Sequence, residues 1–184
     1  KQIKKNFGEG KERKTELRNF ESIQAAKVVV ANEKLYVNRE EGLFGTCLKK
    51  DEYVCDCSDI DDIIVFLKDG KYQISKVSEK AFFGKNIIHI AVYSKGDERT
   101  IYNVIYKDGK NGPAYMKRFA ITGVTREKTY DITKGTENSR ILWFTANRNG
   151  EAEIVKIFQK PKPKLKKLVF ELDFSQLAIK GRSS

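Results

Sequence analysis

Cys55 and Cys57 bracket Asp56, which is the nearest this chain comes to metal-ligand spacing. A tetrahedral zinc site takes four nitrogen or sulfur donors, and only Cys47 and the lone His89 could complete the set. That donor set is too sparse and too irregularly spaced, so no metal is expected. Asp56, Asp59, Asp61 and Asp62 could offer oxygens to Mg²⁺ or Ca²⁺, but the alternation of an EF-hand loop is missing. They read instead as a solvated turn that would keep a polyanion off one face. His89 lies in the apolar run Ile87 to Val92, a strand position, and no partnered Ser or Cys motif supplies a nucleophile for it. Neither a P-loop nor a dinucleotide-binding glycine pattern occurs. No catalytic residue and no cofactor are therefore expected, and the chemistry left is that of lysine and arginine.

Lys and Arg number 36 against 25 Asp and Glu, a formal charge of +11. Such an excess sets up a field that attracts nucleic acid or anionic lipid. A lipid surface would call for a basic amphipathic helix or a lipidation motif, and the sequence shows neither. No apolar run approaches the roughly 20 residues of a membrane span, and Lys1 to Lys5 is no signal-peptide start. Nucleic acid is the expected partner. Three cysteines suit a reducing compartment better than a disulfide framework, so a cytoplasmic location is expected. The missing initial Met and the abrupt Gly181-Arg182-Ser183-Ser184 end read as a fragment of a longer chain.

The elements that would carry these charges are strands. Ile63 to Val77 is two apolar runs around Lys68-Asp69-Gly70, and Asp-Gly between such runs is a strong hairpin signal because Gly tolerates positive φ. The grammar returns at Ile101 to Phe119 around Lys107-Asp108-Gly109, and at Ile141 to Ile157 around Asn147-Arg148-Asn149-Gly150. The three turn glycines stand 39 and 41 residues apart, and Val28 to Val37 is an earlier, less regular copy. A strand-built period near 40 residues predicts a propeller-like array in which each repeat is a small sheet covered by its neighbours.

Lys1 to about Phe20 reads as a linker or strap, and 21–184 as the repeat domain. Helical signal is confined to a short stretch between Thr15 and Lys27. Lys160 to Lys167 holds five lysines and two prolines and reads as a mobile basic connector, able to bind phosphate or merely to stay solvated. Leu168 to Phe174 alternates as a strand, and Leu177-Ala178-Ile179 begins another element. Phe82, Phe83, Tyr93, Tyr102, Tyr106, Phe119 and Trp143 read as core rather than as a platform for stacked bases.

Taken in order, these segments resemble the C-terminal domain of the A subunits of bacterial type IIA topoisomerases, DNA gyrase and topoisomerase IV. Basic strand ends stand at Lys76-Val77, Lys117-Arg118-Phe119 and Lys156-Ile157. Gly-basic pairs follow at Gly84-Lys85, Lys134-Gly135 and Lys180-Gly181-Arg182. Leu48 to Glu52 resembles the loop after the first repeat's Gly45, and Arg13 to Leu17 is similar to the segment leaving the breakage-reunion core. The basic glycine-rich box typical of gyrase is replaced by Glu40-Glu41-Gly42-Leu43-Phe44-Gly45-Thr46, which tilts the resemblance toward topoisomerase IV.

The resemblance implies an all-β fold, a partial β-pinwheel of about four repeats. It also implies a non-catalytic role: binding and bending duplex DNA. The partners it implies are the remainder of that topoisomerase chain and, through it, the ATPase subunit. A nucleoid-associated cytoplasmic protein follows. The residues expected to meet phosphate are Lys76, Lys80, Lys85, Lys117, Arg118, Arg126, Lys128, Lys156, Lys180 and Arg182. A propeller-like protein-interaction module is the rival from another class, and a single-strand binder the second.

Overall fold

The computed structural model describes residues 31–161, 163 and 166–181. The expected strap over 1–20, the helical stretch between Thr15 and Lys27, and Arg182 lie outside the described residues.

Fourteen strands and one 3₁₀ turn make up the described chain, which is all-β. The first repeat holds β1 (Glu33–Asn38), β2 (Leu43–Gly45) and β3 (Glu52–Cys57). The second holds β4 (Asp62–Leu67), β5 (Lys71–Lys76), a two-residue β6 (Ala81–Phe82) and β7 (Ile87–Tyr93). The third follows the same plan with β8 (Ile101–Lys107), β9 (Ala114–Ala120), β10 (Tyr130–Asp131) and β11 (Arg140–Asn147). The fourth has β12 (Ile154–Phe158), β13 (Val169–Asp173), the 3₁₀ turn Phe174–Gln176 and β14 (Lys180–Gly181).

One pairing rule generates the sheets. In each of the first three repeats a hairpin carries the repeat's own long strand on its first strand and a short strand from the next repeat on its second. The orders are β3-β1-β2-β6, β10-β5-β4-β7 and β11-β8-β9-β14, and β12 and β13 form a fourth, two-stranded sheet. The exchanged strands β6 and β10 pair antiparallel, whereas β14 joins β9 in parallel. Each exchange is a covalent tie between neighbouring sheets, and the arrangement is that of a β-pinwheel.

The alternation of side chains explains why β4 is apolar on both faces. Ile63, Val65 and Leu67 join Leu35, Val37 and Phe44 of the first sheet in one buried cluster. Ile64 and Phe66, facing the other way, join Tyr102, Val104 and Tyr106 of the third sheet in a second cluster. Between the third and fourth sheets lies instead an open groove of about 580 Å³, lined by Ile105, Met116, Leu142, Ile157 and Phe170 among others.

Two expected elements change role. The run from Ile141 to Ile157 is not a hairpin: β11 pairs with β8, β12 pairs with β13, and Asn147 to Gly150 is the connector between repeats. β12 and β13 form the hairpin of the fourth repeat, closed beyond their ends by the Gln159 amide donating to the Leu168 carbonyl at 2.8 Å. The expected connector thus joins two strands of one sheet. Phe82 and Trp143 are exposed rather than core, at 63% and 41%, because each sits on a strand at the margin of its sheet. Tyr93, Tyr102, Tyr106 and Phe119 are buried as expected.

Candidate nucleic-acid interface

The exchanged strands organise the basic residues. A lysine stands just before and just after each antiparallel one: Lys80 and Lys85 around β6, Lys128 and Lys134 around β10. The same element of the fourth repeat, β14, begins with Lys180. All five are exposed. Their spacing arises because the polypeptide must leave one hairpin, cross to the previous sheet and return, and the crossings are loops open to water. Lys134, legible in the sequence only as part of a Gly-basic pair, lies over the Tyr115 ring at 3.9 Å, and its bond to the Tyr115 hydroxyl raises its pKa. Lys128 lies over Tyr130 at 5.5 Å.

The other candidates are spoken for to differing degrees. Lys76, opposite Asp62 in the β4–β5 ladder, remains exposed. Arg126 reaches the same Asp62 carboxylate from the third repeat, 2.8 Å away. Lys156 pairs with Glu171 directly across β12–β13 at 3.0 Å, both well exposed, so the pair itself contributes little stability. Lys117 is half-buried: its ammonium donates to the Ile132 carbonyl at 3.1 Å, and burial lowers its pKa. Arg118 donates to the Gly150 carbonyl at 2.6 Å, tying β9 to the connector that leads into the fourth repeat. These two side chains brace neighbouring loops.

The candidates for other chemistry are not assembled into a site. Among the described residues, no group of three or more His, Cys, Asp or Glu side chains is placed to hold a metal ion. Cys47 is exposed, Cys55 half-buried and Cys57 buried, where desolvation pushes its thiol up to about 11 and away from the reactive thiolate. His89 is enclosed between Phe66 and Phe144, with ring centroids at 5.8 and 5.2 Å. Burial, aided by Arg39 and Arg148, lowers its pKa to about 4, so at neutral pH it is an uncharged, partly buried ring. No helix among the described residues is long and apolar enough to cross a membrane.

Comparison with known proteins points the same way as the strand exchange. A family model described as the topoisomerase C-terminal domain of Bacteroidota matches residues 34–184. The A subunit of DNA topoisomerase 4 from Borreliella burgdorferi is 28% identical over 137 residues, which is 74% of this chain and 21% of that protein. The chain thus spans about a fifth of the length of that curated relative. No solved structure matches.

Proposed function

Since this chain belongs to the topoisomerase C-terminal domain family, we propose that it binds and bends duplex DNA without regard to sequence, as the non-catalytic domain of a type IIA topoisomerase A subunit. The observation that carries the reading is the repetition of exposed lysines around the exchanged strands, Lys80 and Lys85, then Lys128 and Lys134, then Lys180. Equivalent positions in successive sheets give regularly spaced cations, which is what a bent polyanion requires.

Duplex DNA carries one phosphate charge per about 1.7 Å of axis, and cations that displace its counterions give affinity that falls steeply with salt. Bending 20–30 bp by 40–90° costs on the order of 1–6 kcal/mol, so several weak contacts must act together. Lys76, Lys80, Lys85, Arg126, Lys128, Lys134, Lys156, Lys180 and Arg182 are proposed as those contacts. Lys117 and Arg118 add to the field while spending their hydrogen bonds on backbone carbonyls. Held against the remainder of its topoisomerase chain, with the ATPase partner beyond, such a domain would steer which DNA segment reaches the catalytic core.

Fluorescence anisotropy across a salt series tests this, with a second duplex sequence and a single strand as competitors. Equal affinity for both duplexes, weaker binding of the single strand and a steep salt slope are expected. The rival is a protein-interaction module, favoured by the apolar groove between the third and fourth sheets. Absence of duplex binding even at low salt would leave that rival standing.

A further inference from the structure

Charge is not shared evenly among the repeats. The first repeat, 31–61, has eight carboxylates against four cations, a net charge of −4. The second, 62–93, has five cations against three carboxylates and nets +2. The third, 101–147, has eight cations against four carboxylates, +4, and the fourth, 154–181, has seven against two, +5. The sign reverses once and the positive charge then climbs along the chain.

Side-chain placement sharpens the contrast. In the first repeat Glu40 and Glu41 are exposed at the β1–β2 tip, and Asp56 and Asp59 are exposed on and after β3. Its cations are partly committed: Arg39 is gripped by both oxygens of Glu52 at 2.7 and 2.8 Å and also donates to the Ile88 carbonyl at 3.0 Å. Lys34 lies over the Tyr53 ring. Among the described residues this repeat contributes no exchanged short strand, and the lysine pair beside its sheet, Lys80 and Lys85, belongs to the second repeat. At the other end, the β12–β13 hairpin presents Lys160, Lys166 and Lys167, all exposed.

Screening makes these local differences count. Packed sheets stand about 10 Å apart and the Debye length at physiological ionic strength is about 8 Å. A phosphate lying on one sheet therefore feels chiefly that sheet, and the first sheet stays acidic, at −3, when Glu79, Lys80 and Lys85 beside β6 are counted with the −4 of 31–61. The net charge of the whole chain does not describe what a phosphate meets at its acidic end.

We propose that duplex DNA is held by the second, third and fourth repeats only, and that the acidic first repeat turns it away, giving the bound tract a fixed end and direction along the array. This rests on the duplex-binding reading above. Regular contacts alone would let a duplex slide in register from repeat to repeat. One repulsive repeat removes that freedom.

The test uses the full chain with four variants, each checked for unchanged thermal stability. Neutralising the acidic repeat (E40Q, E41Q, D56N and D59N together) is expected to tighten duplex binding about threefold or more at physiological salt, with a larger gain in lower salt. Removing the opposite end (K166Q with K167Q) is expected to weaken binding and to lower the salt slope by up to about 0.9 per phosphate lost. With Cys47 replaced by Ser, a cleavage reagent tethered to Asp56→Cys on the far edge of the first sheet is expected to leave the bound duplex uncut, whereas the same reagent on Lys128→Cys cuts it. If the wild-type chain binds duplex but the reagent on Asp56→Cys cuts it and the acidic variant binds no tighter, the polarity is wrong while the duplex-binding reading stands. If the wild-type chain binds no duplex at low salt, both fall together.

Discussion

Gly42 of the first repeat and Gly84 of the second meet backbone to backbone: a Cβ on Gly42 would fall on the Gly84 carbonyl, well inside van der Waals separation. Gly42 also holds φ at +77°, and its own carbonyl accepts from the Phe83 amide at 3.3 Å. The same junction recurs one repeat later, where the Gly70 carbonyl accepts from Ile132 at 2.9 Å. There the space over Gly70 is bounded by the Thr133 methyl rather than by backbone.

Gly42→Ala is therefore expected to be the more damaging of the two alanine changes. Positive φ alone costs a non-glycine residue about 1–2 kcal/mol, and the backbone clash brings the total to about 3 kcal/mol or more. Gly70→Ala meets the Thr133 methyl, which can give way only by disturbing the hydroxyl's bonds to Asp131 and Gly135, and should cost about 2–3 kcal/mol. Urea denaturation of both variants checks the ranking. Equal midpoints would mean that the first junction yields more easily than its geometry suggests.

Arg39 joins the first two sheets through Glu52 and through the carbonyls that open β7. Glu52 is about half exposed, so water screens the ion pair and its own contribution is small, although the bond to Arg39 lowers its pKa. The carbonyl bonds come from the same guanidinium plane, which lysine cannot reproduce. Glu52→Gln is expected to cost about 0.5 kcal/mol or less. Arg39→Lys should cost about 1–2 kcal/mol by losing the fork and the carbonyl donors together. Chemical denaturation of the two variants compares them directly.

His89 gives the molecule a pH dependence of known sign. Its folded pKa is about 4 against an ordinary 6.5, with burial the main cause. Above 6.5 the ring is neutral folded or unfolded and contributes no slope. Between 6.5 and 4 the unfolded chain takes up the proton and the folded chain does not, so stability falls with pH. The loss approaches about 3 kcal/mol at the acid end. Thermal melting of His89→Gln is expected to be flatter than wild type across that window. Carboxylates such as Glu52 and Asp97, whose pKa values are lowered, add a further acid loss shared by both proteins.

Local grammar made part of this fold readable. The Asp-Gly turns at Gly70 and Gly109 join strands that do pair, and the alternation of β13 was plain. Gly150 carries the same signal, with φ at +70°, yet turns between two strands belonging to different sheets. A turn signal says that the chain reverses, and pairing is decided by which neighbour buries the apolar face. The two-residue strands β6, β10 and β14 are too short to show a period, and their partners lie in the preceding repeat. Basic residue types were legible, but whether a lysine faces water or a carbonyl was not. Lys117 and Lys85 are alike in sequence and differ only in what surrounds them.

That difference is itself measurable. Lys85 is exposed beside β6, so Lys85→Ala should leave stability within about 0.5 kcal/mol of wild type. If it meets a phosphate, its loss lowers the salt slope of duplex binding by about 0.9. Lys117 donates to the Ile132 carbonyl beside β10, so Lys117→Ala strips a donor from a partly buried acceptor. A cost of about 1–3 kcal/mol is expected there, with little change in the salt slope. Melting curves and binding isotherms for the two variants should thus move in opposite measurements. A Lys117 variant that keeps its stability and loses salt slope would show that its ammonium leaves the carbonyl for phosphate when DNA arrives.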